Sequence, residues 1–143
     1  MTTIRQILDR KPEVYAIDPD ATVLDALKLL EQKNVGALLV MKGERLVGIL
    51  SERDYARRMI LHGRSSKETA VREVMTTEVF TIAPDARAGE CMAYMTDRHI
   101  RHLPVLEGGK VVGVISIGDI VRAVMEDMRF TIRQLEAYVR SGG

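Results

Sequence analysis

Two stretches decide how this chain is built: Gly48-Ile-Leu-Ser51-Glu-Arg-Asp54-Tyr55 and Gly113-Val-Ile-Ser116-Ile-Gly-Asp119-Ile120. Both follow the pattern Gly-h-h-Ser-x-x-Asp-h, with h apolar, and they stand 65 positions apart. Sliding the sequence by that offset also lays Val14 on Val79, Ile17 on Ile82, Pro19-Asp20-Ala21 on Pro84-Asp85-Ala86, Leu38 on Leu103, Val40 on Val105 and Arg57 on Arg122. The register holds without a gap from Val14 to Met125. The lead-ins, Ile4-Arg-Gln-Ile-Leu8 and Val71-Arg-Glu-Val-Met75, match once two extra residues are allowed in the first copy. The chain is a tandem repeat, and one repeat cannot by itself bury a sheet face well.

Each copy reads alike. A short extended stretch, Val14 to Ile17 or Val79 to Ile82, runs into Pro-Asp, which disfavours helix before the proline and favours a turn. A helix follows; in the first copy Thr22 and Asp25 have capping-box spacing, and Val23, Leu24, Leu27 and Leu30 recur at the helical period. After Asn34 come two apolar strands, Ala37 to Met41 and Leu46 to Leu50, joined by Lys42-Gly43-Glu44-Arg45; the second copy has Leu103 to Leu106 and Val111 to Ile115, joined by Glu107-Gly108-Gly109-Lys110. Ser-x-x-Asp then opens another amphipathic helix. The expected class is α+β: β-α-β-β-α, twice, related by a pseudo-twofold axis. The boundaries read as 1–62 for the first repeat with its lead-in, 63–70 for a linker within the polar stretch Leu61 to Ala70, 71–127 for the second repeat, and 128–143 for a helical extension.

Composition narrows the function classes. A net charge of +1 with 46% hydrophobic and 29% charged residues fits a globular chain and gives no bulk support to nucleic-acid binding. The single cysteine, Cys91, excludes an intramolecular disulfide and is expected as a small buried apolar residue. No apolar run approaches the roughly 20 residues that span a bilayer, and Met1-Thr-Thr-Ile-Arg5 lacks a signal-peptide core, so the expected compartment is the cytoplasm. Phosphate-cradling Gly-rich loops, a nucleophile elbow and metal-ligand spacings are all missing from the sequence, so no catalysis, catalytic cofactor or metal is expected.

With Arg101-His-Leu-Pro-Val105 ahead of it, the doubled motif resembles the cystathionine-β-synthase (CBS) domain, here as the tandem pair called a Bateman module, over about residues 4 to 125. On its own Ser-x-x-Asp is a helix N-cap. A helix N-terminus with a carboxylate one turn in is also a nucleotide-binding device, because its N–H groups favour phosphate and the carboxylate accepts from ribose hydroxyls. The resemblance implies that dual use, with each cleft combining the motif of one copy with the first strand and strand entry of the other. Carried onto this chain, one site takes Ser51, Arg53, Asp54 and Arg57 with Met75, Thr76, Thr77, Val79, Arg101 and His102. The other takes Ser116, Asp119 and Arg122 with Leu8, Val14, Tyr15, Gly36 and Ala37. The first gathers more cations and is expected to prefer phosphate-rich ligands; Arg58 is expected on an exposed basic face.

The implied ligand is an adenosine-containing small molecule, AMP foremost, with ADP, ATP or NAD(H) in the same class, acting on a target protein in trans. The competing readings are a structural homodimer with idle sites and a nucleic-acid binder using the Arg-rich first-copy helix. Beyond the second motif, Val121, Met125, Met128, Ile132, Leu135 and Val139 alternate in steps of four and three, a heptad stripe that ends at Ser141-Gly-Gly. It points to a homodimer through the C-terminal helix, and no membrane association is expected.

Overall fold

The computed structural model describes residues 1–11 and 13–142; the end of the tail at Gly143 lies outside them. The helices are α1 (Ile4–Leu8), α2 (Val23–Lys33), α3 (Glu52–Tyr55), α4 (Ala88–Arg98) and α5 (Ile117–Arg140), and the strands β1 (Ala16–Ile17), β2 (Ala37–Lys42), β3 (Arg45–Ser51), β4 (His102–Glu107) and β5 (Lys110–Ser116). The class is α+β, as the repeat pattern requires. β1 runs parallel to β2 and β2 antiparallel to β3, while β4 and β5 form a second sheet.

The chain divides into two compact units that do not follow sequence order. One holds Met1–Pro12, Thr81–Glu107 and Val112–Gly143; the other holds Glu13–Phe80 and Gly108–Val111. Each lead-in therefore packs with the other copy's Pro-Asp-Ala turn and first helix. In the first unit Ile4 N–H donates to Ala86 O at 2.9 Å, Arg5 N–H to Pro84 O at 2.9 Å and Ala88 N–H to Thr2 O at 2.9 Å. In the second unit the equivalent bonds run from Val71 N–H to Ala21 O at 2.8 Å, Arg72 N–H to Pro19 O at 2.9 Å and Val23 N–H to Thr69 O at 2.9 Å. The apolar side chains cross over in the same way.

Ile4 and Ile7 are buried with Ala88, Cys91, Met95, Leu103, Val105, Ile115 and Ile120. Val71 and Val74 are buried with Val23, Ala26, Leu30, Leu38, Val40, Leu50 and Met59. Burying such a side chain contributes about 1.5–3 kcal/mol, so each lead-in is a substantial part of the core it enters. Cys91 lies in that core, and burial pushes its thiol up to about 11, which leaves it unreactive.

Both first helices end on a left-handed residue, Asn34 at φ 53° and His99 at φ 55°, whose amide closes the last turn. Elsewhere the local expectations need correction. The extended stretch at Val14 to Ile17 pairs as β1 only through Ala16 and Ile17, and that at Val79 to Ile82 contributes a single parallel bridge, Ile82 to Val105. The first-copy helix after Ser51 lasts one turn before widening into a π-helix, Ala56–Ile60. The polar stretch before Ala70 is also more than a tether. Its Ser66 and Thr69 carbonyls take the first amides of α2, and Thr69, 5% exposed, donates its hydroxyl to Ser65 O at 2.7 Å.

Candidate functional site

In each copy the second hairpin strand delivers the motif glycine, serine and aspartate in one arrangement. Ser51 Oγ accepts from Asp54 N–H at 3.2 Å while Ser51 N–H donates to Asp54 Oδ2 at 3.0 Å. Ser116 Oγ accepts from Asp119 N–H at 3.2 Å and Ser116 N–H donates to Asp119 Oδ2 at 2.9 Å. These are reciprocal capping boxes, so the motif starts a helix and points a carboxylate at that start.

The motif glycine is required by its neighbour across the strand. A Cβ on Gly48 would stand 2.7 Å from Met75 Sδ and 2.9 Å from Thr76 O, and one on Gly113 would stand 2.4 Å from Leu8 Cδ2. The lead-in of one copy thus lies directly on the motif strand of the other, which brings Met75 and Thr76 to Asp54 and Leu8 to the strand of Asp119.

In the unit holding Asp54, Thr76 exchanges backbone hydrogen bonds with Ile49 at 2.9 and 3.0 Å and donates its hydroxyl to Asp54 Oδ1 at 3.0 Å. Ser51 Oγ adds a contact to Asp54 Oδ2 at 3.1 Å. Gly36 O accepts from Glu52 N–H at 3.1 Å and Ala37 is the register partner of Ser51, so both flank this motif inside their own unit. A cavity of about 490 Å³ opens there between Gly36, Glu52, Tyr55 and α2. Tyr15 packs against the same core, Val14 is exposed, Arg57 and Thr77 face solvent, and Val79 is half-buried. Arg53 is exposed on α3. Arg58 is exposed, as expected, and its Nη1 donates to Val74 O at 3.0 Å and Met75 O at 2.8 Å, clamping the lead-in that carries Thr76.

In the other unit Arg101 O accepts from Ile117 N–H at 2.8 Å, which sets Arg101 and His102 beside Ser116, as Gly36 and Ala37 are set beside Ser51. Burial lowers the His102 imidazole below its usual value; Lys11 and Arg101 push the same way and Asp119 opposes them. Lys11, absent from the sequence-derived set, ends on Asp119. Its Nζ lies 2.7 Å from Asp119 Oδ2 and 2.9 Å from Val114 O, while Arg122 Nη2 lies 2.8 Å from Asp119 Oδ1. Burial pushes the Asp119 carboxyl up, but the bonds from Lys11 and Ser116 outweigh it and hold it below the usual carboxylate range. Arg10, Lys11, Arg122 and Asp119 line a cavity of about 250 Å³ with Ile7 and Glu126. The signal was present in the sequence: once the two extra lead-in residues are placed at Asp9-Arg10, Lys11 falls on Thr76.

The CBS domain model matches residues 4–61 and 71–126, and the chain belongs to that family. It is 47% identical over 128 residues to the CBS domain-containing protein CBSX3, mitochondrial, of Arabidopsis thaliana; the match covers 86% of this chain and 62% of that protein, so this chain spans under two thirds of its relative's length. Among solved structures it resembles a protein with CBS domains from Burkholderia ambifaria MC40-6, with a TM-score of 0.85, 49% identity, and 88% and 96% of the two chains covered. It also resembles the CBS domain pair of protein MJ0100 in complex with 5′-methylthioadenosine and S-adenosyl-L-methionine, with a TM-score of 0.77, 26% identity, and 89% and 98% covered.

Proposed function

We propose that this chain is a regulatory module for an adenosine-containing ligand, AMP foremost and ADP, ATP or NAD(H) within the same class. The observation that carries the reading is the Asp54 carboxylate at the start of α3, which accepts from the neutral donors Ser51 N–H, Ser51 Oγ and Thr76 Oγ1. Neutral donors exchange readily for the two hydroxyls of a ribose, and the first turn of the helix adds N–H groups for phosphate. The MJ0100 pair, bound to two adenosine derivatives, supports the ligand class. Ser51, Asp54, Met75 and Thr76 are the core of the first site, and Ser116, Asp119, Arg122 and Leu8 that of the second. Val14, Tyr15, Gly36 and Ala37 lie in the unit of the first site and Arg101 and His102 in that of the second, the reverse of their sequence-derived assignment, and contribute base or phosphate contacts there with Arg53, Arg57, Thr77 and Val79 of the first site.

Occupancy regulates a target protein in trans, by binding one conformation of the module more tightly than another. The module works as a homodimer joined through α5. Its residues from Met128 to Arg140 are all exposed, with Met128 at 59%, Ile132 at 51%, Leu135 at 60% and Val139 at 73%. Such a stripe is the seam of a two-helix coiled coil.

A thermal-unfolding panel with AMP, ADP, ATP, NAD and NADH tests the ligand class. A ligand at 100 times its Kd stabilises by about 2.7 kcal/mol, and the melting midpoint should rise by several degrees. An unmoved midpoint with every adenine nucleotide at millimolar concentration would refute the reading.

A further inference from the structure

We propose that Lys11 sets the ligand specificity of the second site, reserving Asp119 for nucleotides that carry phosphate and barring uncharged nucleosides. This rests on the ribose-binding role proposed above for the two carboxylates.

The two copies present the same carboxylate to different neighbours. Where Thr76 gives its N–H to Ile49 O and its hydroxyl to Asp54, the ammonium of Lys11 supplies both contacts, to Val114 O and to Asp119. One side chain has taken over a backbone and a hydroxyl contact, and has brought a positive charge with it. The Lys11 side chain is 33% exposed and that of Asp119 10%, and Arg122 reaches the carboxylate's other oxygen.

A ribose approaching Asp54 displaces or shares neutral donors. At Asp119 it competes with two charge-assisted bonds, each roughly twice as strong as a neutral one. It would also leave a part-buried ammonium without its counter-ion, which is strongly unfavourable. An uncharged nucleoside offers nothing in exchange. A phosphate does: it can gather Lys11 and Arg122, with Arg10 on the same cavity wall, and free the carboxylate for the sugar hydroxyls. Glu126, also on that wall, is paired with Arg10 at 3.2 Å and so does not cancel the Lys11 charge. The 250 Å³ cavity is small for a whole nucleotide, whose pockets start at about 300 Å³, and suits its sugar-phosphate end.

The test uses isothermal titration calorimetry on the full chain carrying Asp54→Ala, which leaves the second site alone, with adenosine and AMP as probes. AMP should bind at one equivalent and adenosine at least about tenfold more weakly, a gap of about 1.4 kcal/mol. Adding Lys11→Thr, which copies the first site, should bring the two ligands to within about threefold of each other, whereas Lys11→Arg should preserve the gap. Circular dichroism of each variant checks the fold, and the Asp54→Ala and Lys11→Arg arms stand even if Lys11→Thr unfolds. Equal affinity for adenosine and AMP in the Asp54→Ala chain, or a gap unchanged by Lys11→Thr, overturns the role of Lys11 alone. Absence of AMP binding in the unaltered chain overturns the ribose-site reading beneath it.

Discussion

Thr76 Oγ1 donates to Asp54 Oδ1 at 3.0 Å, a bond between the lead-in of the second copy and the motif helix of the first. It ties the chain's architecture to its chemistry. The lead-ins are exchanged between copies, and the exchange is what puts a side-chain donor on each motif carboxylate. The two capping boxes and the contacts from Ser51 Oγ and Arg122 would exist in either copy alone; those from Thr76 and Lys11 would not.

The exchange makes the motif glycines unequal. At Gly48 an added methyl meets the backbone carbonyl of Thr76 at 2.9 Å, which moves only with its strand pairing, whereas at Gly113 it meets the tip of Leu8, which can swing aside. Gly48→Ala should cost about 1–3 kcal/mol and Gly113→Ala less than about 1.5 kcal/mol, read from urea midpoints. Equal costs would argue against the lead-in seating described.

Acid stability should be set by the unit that holds Asp119. Its carboxyl is held below its usual value, so its contribution is complete above about pH 4 and is lost as pH falls through the lowered value. The His102 imidazole is also lowered, so below about pH 6.5 the unfolded chain binds the proton before the folded one and stability declines as pH falls. Both groups act in the same direction. Denaturant midpoints should fall from pH 7.5 downward, and His102→Gln should flatten the part of the decline that begins near neutrality. A midpoint independent of pH between 7.5 and 5 would contradict this.

Breaking the α5 seam should leave each protomer folded. Ile132→Glu combined with Leu135→Glu alters side chains 51% and 60% exposed, so the melting of the isolated protomer should shift by no more than about 0.5 kcal/mol, as at ordinary surface sites. Light scattering should show the mass fall from dimer to monomer. A variant that remains dimeric would place the interface elsewhere.

What the sequence carried, and what it withheld, divides along the reach of the interactions. The repeat, both hairpins and the helix caps at Ser51 and Ser116 are local patterns, and local physics made them readable. The exchange of lead-ins came from the resemblance, which set Met75 and Thr76 with Asp54 and Leu8 with Asp119; no local pattern carries it, because Ile4 and Val71 are equally apolar and would suit either copy's core. The π-helix at Ala56–Ile60, whose Met59 is buried, has no local signature in the sequence. Lys11 was hidden by the two-residue insertion beside it, which broke the register that would have set it against Thr76. Arg58 read as an arginine on an exposed face, and it is exposed; only the position of Val74 and Met75 gives it carbonyls to hold.

The central claim is that the motif carboxylates hold the ribose of an adenine nucleotide, and calorimetric titration of AMP into the unaltered chain and into Asp54→Ala/Asp119→Ala tests it most directly. Asp54→Ala removes a capping interaction worth about 1 kcal/mol, and Asp119→Ala also takes the counter-ion from Lys11, so circular dichroism first establishes that the doubly substituted chain is folded. The account predicts saturable AMP binding to the unaltered chain and none to the variant at concentrations up to about 100 times the original Kd. Undiminished binding by the folded variant would contradict it.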